Sequence, residues 1–223
     1  EADQIDDAYK DKDGYYTGAR MMNMGIAYNT VFVKAEEAPT SWFDLLDPKW
    51  NDQIVMTDPG TSGTSKFWLN AIVSSDKYGI EFLEQLRANG CYVESGTTAT
   101  HNQLAAGAYR VGVCLDYVTA NLASVGSPIA FVFPEDTVSI FSPIGLVKNS
   151  ANNENGKLLY DFILSKEGQE ILVEQNLISV RNDVEQADVD VEAIAKKALS
   201  LDLEAMSEEN DENLAAYDRI FGI

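Results

Sequence analysis

The chain has 223 residues, of which 45% are hydrophobic, and its 36 acidic and 16 basic side chains give a formal net charge of −20 at pH 7. This excess of negative charge argues against a nucleic-acid-binding protein, which needs clustered lysine and arginine, and against docking to anionic lipid. No apolar run approaches the ~20 residues of a membrane-spanning helix. Length and composition therefore predict a globular protein of one large or two modest domains.

The first fifty residues contain few long elements. Residues 1–20 are acidic, and residues 24–34 alternate as an extended segment. Thr40 or Ser41 is a suitable N-cap for a short helix, which Pro48 is predicted to end. The first residue is not Met and no leader is recognisable, so the sequence fits either a processed chain or a fragment.

Residues 51–134 alternate between short apolar strands and helices about every dozen residues. That alternation predicts a largely parallel sheet covered by helices on both faces. In such sheets ligands bind beyond the carboxyl ends of the strands. Residues 139–148 form a further extended segment, two helices are divided near 165–168, and residues 183–223 are predicted to be acidic and helical.

Two loops that join a predicted strand to a helix are rich in hydroxyl groups and glycine. Ser62, Gly63 and Thr64 follow the strand that ends at Met56. The first N–H groups of a helix have no intrahelical partner and attract anions, so a phosphate, phosphonate or carboxylate fits this loop. The alternative is that Ser62 or Thr64 only caps its own helix.

A similar cluster follows the next strand, which strengthens the ligand interpretation. Ser95, Gly96 and Thr97 stand between a short strand and a helix. Tyr117 follows a third strand and is a candidate at the same edge, although a core or rim aromatic residue is the alternative. Two hydroxyl loops at equivalent strand ends are expected to face one cleft.

The rare residues limit metal and nucleophile chemistry. Cys91 and Cys114 are the only cysteines, each in a short apolar run, and are expected to be buried thiols, with one disulfide as the alternative. His101 is the only histidine and is expected on a helix surface. A zinc site built from His and Cys is therefore not expected, and no cofactor is implied.

Several segments, in order, resemble one protein family. The ordered set includes "GIAYNTVFV", "PTSWFDLLDPKWNDQIVMTDPGTSGT", "AAGAYRVGVCLDYVTANLASVGSPIAFVFPEDT", "GLVKNSANNENGKLLYDFILSKEGQEIL" and "ISVRNDV". From about Gly25 to Val184 the chain is similar to the extracellular solute-binding proteins of ABC importers, in the branch of iron(III), phosphonate and sugar-phosphate binders.

The resemblance implies an α/β fold of the type II periplasmic-binding-protein kind, with two lobes joined by extended crossovers. It assigns residues 1–30 to a remnant of lobe 1 and the first crossover, and 31–130 to a complete lobe 2. Residues 131–223 become the second crossover, the return to lobe 1 and the C-terminal helices. Family members carry roughly a hundred more residues before the "YNT" strand, so lobe 1 is expected to be incomplete and prone to dimerisation.

The resemblance leaves the ligand open. Iron-binding members commonly use paired adjacent tyrosines, whereas this chain has Asp116-Tyr117 at the matching place. With Glu135 these residues offer only part of the oxygen ligand set that a ferric ion requires. Polyamine-binding relatives use carboxylates, which fits the net acidity, but the "TSGT" loop favours an anionic ligand.

The sequence therefore predicts a non-enzymatic, periplasmic or extracellular binding protein, with a lipoprotein anchor as one form. It is expected to close two lobes around a small phosphonate- or phosphate-bearing solute and deliver it to an ABC permease. Expected ligand-binding residues are Ser62, Gly63, Thr64, Ser95, Gly96, Thr97, Asp116, Tyr117 and Glu135. A phosphoester-processing α/β enzyme, with Asp58 or Asp116 as base, is the rival class.

Overall fold

A computed structural model describes residues 4–186 and 189–222. Three parts of the chain lie outside the described residues: residues 1–3, residues 187–188 and Ile223. Residues 1–3 and 187–188 belong to the segments predicted for lobe 1 and to the acidic termini. The chain divides into a first unit, Glu1–Met22 with Ser139–Ala193, and a second unit, Asn23–Val138 with Ile194–Ile223. Within the described ranges no helix is long and apolar enough to cross a bilayer.

The second unit is built on five strands in the order β3-β2-β4-β1-β5. β2 pairs in parallel with β3 and β4, whereas β1 is antiparallel to β4 and β5. β2, β3, β4 and β5 therefore share one direction, and β1 alone runs the other way. The strands are β1 (Thr17–Asn29), β2 (Ile54–Thr57), β3 (Tyr92–Glu94), β4 (Val111–Leu115) and β5 (Ile129–Val132).

Each of the parallel strands β2, β3 and β4 is followed by a helix that begins at its carboxyl end. The helices are α1 (Gly63–Val73) after β2, α3 (Thr97–Ala105) after β3 and α4 (Asp116–Ser124) after β4, while α2 (Gly79–Ala88) follows α1. Apolar side chains of the strands pack against α3 in the core. The buried residues there are Ala27, Val55, Leu104, Cys114 and Ile129. The predicted alternation of strand and helix is confirmed.

The C-terminal helices pack in the second unit. They are α7 (Val191–Lys197), which begins in the first unit, α8 (Leu203–Glu208) and α9 (Asn210–Phe221). α9 contacts α1 and α2, and its Ala216, Tyr217 and Phe221 are buried there. Residues 194–223 thus belong to the second unit, whereas their assignment to lobe 1 stays a prediction. The apolar face of α9 covers the α1–α2 pair, which the acidic composition of the tail did not reveal.

The segment between β1 and β2 contains 3-10 turns in place of the predicted short helix. Ser41 caps the turn Trp42–Leu46 through a capping box with Asp44. The turn Trp42–Leu46 ends with Asp47 as its C-cap, directly before Pro48, as predicted. Pro48 then begins a further turn, Pro48–Trp50, because proline is compatible with the first position of a helical turn. Trp42 is fully buried and stands edge-to-face with Trp68 of α1, with ring centroids 5.5 Å apart.

The first unit contains the first half of β1, β6 (Val138–Ile144, whose first residue belongs to the second unit), α5 (Asn153–Leu164) and α6 (Lys166–Glu174). β6 pairs with β1, and Met21 forms an antiparallel bridge with Ile178. Ile5, Ala19, Leu164 and Val180 form a small apolar cluster.

Two polar side chains organise the interior of the first unit. Gln169 is fully buried; its amide donates to the carbonyls of Ala19 (2.6 Å) and Ile163 (2.9 Å). Its oxygen accepts hydrogen bonds from Ser179 Oγ (2.8 Å) and Val180 N (3.1 Å). The other is Arg181, which makes a bidentate pair with Asp183 and donates to the Leu164 carbonyl. These contacts account for the "SVRND" segment in structural terms.

Candidate functional site

The two hydroxyl loops lie side by side at the carboxyl ends of β2 and β3. Because these strands are parallel neighbours, the turns after Thr57 and Glu94 occur at the same edge of the sheet. Asp58 N donates to Glu94 O (2.8 Å), which joins the loops at their base. Thr57 and Thr100 add a buried contact between their hydroxyl oxygens at 2.7 Å.

The loop before α1 is closed by Asp58 and capped by Ser62. The backbone N–H groups of Thr61 and Ser62 both donate to the Asp58 carbonyl, and Gly60 N donates to the Asp58 carboxylate. Ser62 Oγ accepts a long hydrogen bond from Ser65 N at 3.4 Å. The interpretation of Ser62 as the N-cap of α1 is therefore confirmed.

Capping leaves donors unused at the start of α1. The N–H groups of Gly63 and Thr64 have no acceptor in the part of the chain that the structure describes. Thr64 Oγ1 lies 3.1 Å from Ser62 Oγ, so its hydroxyl is held at the same end of the helix. These groups, together with the helix dipole, provide a positive potential that suits an anion.

The start of α3 is more open than that of α1. Its N-cap residue is Gly96, which has no side chain to cap the helix. Among the described residues, no acceptor faces the N–H groups of Thr97, Thr98 and Ala99. Thr98 is exposed.

The two helix starts are in direct contact. Ser62 Oγ and Thr97 Oγ1 are 3.4 Å apart, and Thr61 Oγ1 donates to the Ser95 carbonyl at 2.8 Å. Sequence reasoning missed Thr61, although it belongs to the same "TSGT" run as Ser62. Within the predicted set, Ser62, Gly63, Thr64, Ser95, Gly96 and Thr97 are therefore brought together on one surface of the second unit.

Both glycines of this surface border open space. A Cβ atom added to Gly63 or to Gly96 meets no other atom within 4 Å. Neither glycine is therefore required by internal packing, and both leave room for a ligand to approach the backbone. A larger side chain at either position fills that space without disturbing the fold.

A cleft of about 320 Å³ opens beside the first turns of α1. Lys66 lines it and brings a positive charge to the first turn of α1. The amide side chains of Asn70 and Asn210 border the same cleft and hydrogen-bond to each other at 3.0 Å. The cleft runs from Gly63 toward α8 and α9, and its lining includes the apolar side chains of Phe67, Leu203 and Met206.

The third helix start, at α4, already holds a carboxylate. Asp116 is buried, and its Oδ2 accepts a hydrogen bond from Asn23 Nδ2 at 2.7 Å, while its Oδ1 accepts one from Tyr117 N at 2.8 Å. Burial raises the pKa of Asp116, and the hydrogen bonds from Asn23 and Tyr117 oppose that rise. Asp116 therefore occupies the anion-binding end of α4 itself. Tyr117 follows it and is partly buried.

Glu135 stands apart from the hydroxyl surface. It follows β5, which has the direction of β4 but is separated from it by β1. Its N–H donates to the Thr40 carbonyl, its side chain is exposed, and it has no hydrogen bond to Ser62, Thr64 or Thr97. The neighbouring Asp136 accepts hydrogen bonds from Lys77 and Tyr78. The structure thus places Glu135 with the Thr40 segment.

His101 is buried, so the expectation of a surface histidine is wrong. Its side chain is 1% exposed, with Nδ1 2.7 Å from the Thr97 carbonyl, and Leu115 N donates to Nε2 at 3.2 Å. Burial lowers the pKa of His101, against the opposing effect of its two backbone hydrogen bonds. The sequence held a signal for this: His101 lies four residues after Thr97 and three before Leu104, on the inward face of α3.

The cysteines and the carboxylates form no metal site in the described residues. Cys91 and Cys114 are both buried and unbonded, which corrects the disulfide alternative, and burial raises the pKa of both thiols. No group of three or more His, Cys, Asp or Glu side chains is arranged to hold a metal ion in the ranges that the structure covers.

Comparison with known proteins gives a consistent family. The model of a family described as bacterial extracellular solute-binding protein matches residues 1–208. An uncharacterized protein of Haemophilus influenzae is 32% identical over 173 residues, 74% of this chain and 50% of that protein. A periplasmic protein of Salmonella typhimurium named for 2-aminoethylphosphonate binding is 31% identical over 196 residues, 81% of this chain and 56% of that protein. The chain thus spans about half the length of the curated relatives it matches.

Solved structures show the same fold. The periplasmic binding protein AfuA from Actinobacillus pleuropneumoniae, with fructose-6-phosphate bound, superposes with a TM-score of 0.84 at 27% identity, over 99% of this chain and 74% of that one. A ferric binding protein from Campylobacter jejuni has a TM-score of 0.80 at 24% identity, over 98% and 74% of the two chains. The latter likeness concerns the fold alone.

Proposed function

Because this chain belongs to the family of bacterial extracellular solute-binding proteins, we propose that it captures a small phosphonate- or phosphate-bearing solute at the paired starts of α1 and α3. The oxyanion accepts hydrogen bonds from the N–H groups of Gly63, Thr64 and Thr97. The hydroxyls of Ser62 and Thr64 complete the contact. Thr98 adds a further N–H donor from the exposed side of α3.

One observation carries this proposal: two neighbouring helices begin at the same surface with backbone N–H donors for which the described residues supply no acceptor. The first N–H groups of a helix have no intrahelical partner, and together with the helix dipole they form a ready anion site. Here Ser62 Oγ and Thr97 Oγ1 approach to 3.4 Å, so the two sets of donors serve one anion. The open space at Gly63 and Gly96 supports the same interpretation.

Two similar proteins that are named for a ligand or hold one favour this class of solute. One relative is named for 2-aminoethylphosphonate and one structural neighbour holds fructose-6-phosphate. 2-Aminoethylphosphonate carries an ammonium group as well as the phosphonate, which agrees with the net charge of −20. We therefore take 2-aminoethylphosphonate as the first candidate and a sugar phosphate as the second.

The alternatives have less support from the second unit. A ferric site built on Asp116, Tyr117 and Glu135 is disfavoured, because Asp116 accepts hydrogen bonds from Asn23 and Tyr117 N and Glu135 is placed by Thr40. An enzyme with Asp58 as base is disfavoured because its carboxylate and carbonyl close the loop before α1. We propose a non-enzymatic role: delivery of the solute, outside the cytoplasm, to the permease of an ABC importer.

Calorimetric titration of the protein at its natural length tests the proposal. The ligands are 2-aminoethylphosphonate, fructose-6-phosphate, spermidine and ferric citrate. A charge-assisted hydrogen bond is worth roughly 1.5–3 kcal/mol, so Thr64→Val is expected to weaken phosphonate binding by about tenfold or more. Gly63→Val is expected to weaken it further, because the added methyl groups enter the space of the anion.

Matched controls separate ligand contact from general damage. Ser124→Ala removes a hydroxyl at the far end of α4, where Ser124 Oγ donates to the Asn121 carbonyl, and Ala88→Val adds two methyl groups on the exposed face of α2. Neither is expected to change the Kd. Binding of spermidine or iron alone, with wild-type affinity in both loop variants, would refute the proposal.

A further inference from the structure

Beyond the hydroxyl surface, one buried side chain ties two of the candidate loops together. His101 is the only histidine in the sequence, and it lies on α3 between the start of that helix and the end of β4. Nδ1 is 2.7 Å from the Thr97 carbonyl, and Nε2 accepts a hydrogen bond from Leu115 N at 3.2 Å. Thr97 belongs to the proposed ligand site, and Leu115 immediately precedes Asp116 and Tyr117.

We propose that His101 is a positioning residue of the ligand site, whose neutral imidazole holds the Thr97 end of α3 at a fixed distance from the Leu115–Tyr117 turn. This inference rests on the proposed function, because positioning has meaning only if Thr97 contacts ligand. His101 does not touch the ligand surface itself, being 1% exposed.

The hydrogen-bond partners define the state of the ring. Leu115 N is a donor, so Nε2 must accept from it, and the ring proton then resides on Nδ1 and is donated to the Thr97 carbonyl. The Leu115 carbonyl lies 3.4 Å from Nε2, but it already accepts a hydrogen bond from Thr119 Oγ1 at 2.8 Å. A neutral ring with the proton on Nδ1 therefore satisfies every one of these groups.

A second proton on the ring conflicts with this arrangement. An Nε2–H group would face the Leu115 N–H group, so two donors would meet in a buried site. The elements packed against α3 are β2, β3, β4 and α4. Their titratable side chains are Tyr92 and Glu94 on β3, Cys114 on β4, and Asp116 and Tyr117 on α4. The desolvation of His101 outweighs its hydrogen bonds, and its pKa is lowered.

Two conservative variants divide the positioning role into its two contacts. The amide nitrogen of Asn in His101→Asn occupies the place of Nδ1 and keeps the donor to Thr97, but it loses the acceptor for Leu115. The longer side chain in His101→Gln keeps an acceptor for Leu115 and loses the donor to Thr97. His101→Phe keeps the volume of the ring and loses both contacts.

The experiment measures the Kd for 2-aminoethylphosphonate and fructose-6-phosphate in the protein at its natural length between pH 5.5 and 7.5. At pH 7.5, His101→Gln and His101→Asn are expected to bind about threefold to tenfold more weakly than wild type, and His101→Phe more weakly still. The ratio of variant to wild-type Kd cancels titration of the ligand. It is expected to fall toward 1 as the pH falls, because only the wild-type ring titrates.

A stability control and a ligand-free readout complete the test. Leu86→Ala destabilises α2, away from the site, and is expected to leave the Kd unchanged. Nitrogen-15 NMR of the ligand-free protein is expected to show the Nδ1–H tautomer. If wild type binds neither probe, the proposed function falls and this inference with it. If wild type binds while both conservative variants match it at every pH, or while Leu86→Ala weakens binding equally, the positioning role alone is refuted.

Discussion

The two units of the chain use their apolar residues differently. In the second unit, the large side chains Trp42, Trp68, Phe82 and Tyr217 are almost completely buried. In the first unit, the helix α5 leaves Leu158 and Leu159 69% and 59% exposed. The interior of the first unit combines a small apolar cluster with the polar contacts of Gln169 and Arg181, whereas the second unit buries several large aromatic side chains.

The second unit therefore supports the candidate site with packed side chains, whereas the first unit leaves an apolar face of α5 exposed. The hydroxyl surface lies wholly on the second unit, where sheet and helices bury each other's apolar faces. We expect another molecule to cover the exposed apolar face of α5, because exposed apolar patches are typical of interaction surfaces. Variants in each of the two units test this difference between them.

Truncation of the aromatic core of the second unit is expected to have the largest effect. Trp68→Ala removes a fully buried ring that packs edge-to-face on Trp42 and is expected to lower the free energy of unfolding by about 3–5 kcal/mol. Urea unfolding followed by tryptophan fluorescence checks this, since all three tryptophans belong to the second unit. Phe32→Ala, in the same unit and with its ring 52% exposed, is the control and should have a much smaller effect.

Removal of the buried amide in the first unit is expected to have the next largest effect. Gln169→Leu leaves the partners of all four hydrogen bonds unsatisfied and is expected to lower the free energy of unfolding by about 2–4 kcal/mol. The loss should appear in far-UV circular dichroism, because no tryptophan belongs to the first unit. Glu170→Ala, its exposed neighbour on α6, is the control; equal losses in both variants would contradict the role of the amide.

Acidification is expected to weaken the second unit through His101. The folded-state pKa of His101 lies below its unfolded value of about 6.5, so the unfolded chain binds the additional proton more readily. The stability that the neutral ring contributes is complete above that unfolded value and is lost as the pH falls toward the folded pKa.

The pKa of Asp116 is raised by burial, which has the opposite sign, since protonation then favours the folded state. Comparison with His101→Gln cancels the Asp116 contribution. Wild type should lose more unfolding free energy than His101→Gln between pH 7.5 and 5.5. Parallel pH profiles for the two proteins would show that the buried ring does not titrate in this range.

Charge placed on the exposed face of α5 is expected to change association with little change in stability. The double variant Leu158→Lys, Leu159→Lys should alter the free energy of unfolding by no more than about 0.5 kcal/mol. In sedimentation velocity, wild type is expected to self-associate with rising concentration and the double variant to remain monomeric. Val125→Lys changes one exposed apolar residue of the second unit and should associate as wild type does. A monomeric wild type would contradict the prediction.

The second unit was largely predictable because its local signals agree with one another. The strand–helix alternation and the hydroxyl runs around Ser62 and Thr97 each indicate a helix start after a strand, and the parallel sheet brings those starts together. The contact between Ser62 and Thr97 requires that β2 and β3 be neighbours, a strand order that the alternation alone does not give.

The remaining features depend on contacts between distant residues. Nothing local to Asp116 indicates that Asn23, 93 positions earlier, donates to its carboxylate. The placement of α9 on α1 and α2 likewise follows from which apolar faces need cover, and the acidic composition of the tail concealed this. The polarity of His101 favours the surface of α3, but its spacing to Leu104 indicates the buried face, where the structure places it.

The most direct test of the central claim is amide chemical-shift mapping of the nitrogen-15-labelled protein during addition of 2-aminoethylphosphonate, repeated with fructose-6-phosphate. We expect the largest shifts at the N–H groups of Gly63, Thr64, Thr97 and Thr98, because these groups donate to the oxyanion in the proposed site. Binding that leaves those four amides in place, and instead shifts the amides around Asp116, Tyr117 and Glu135, would contradict it.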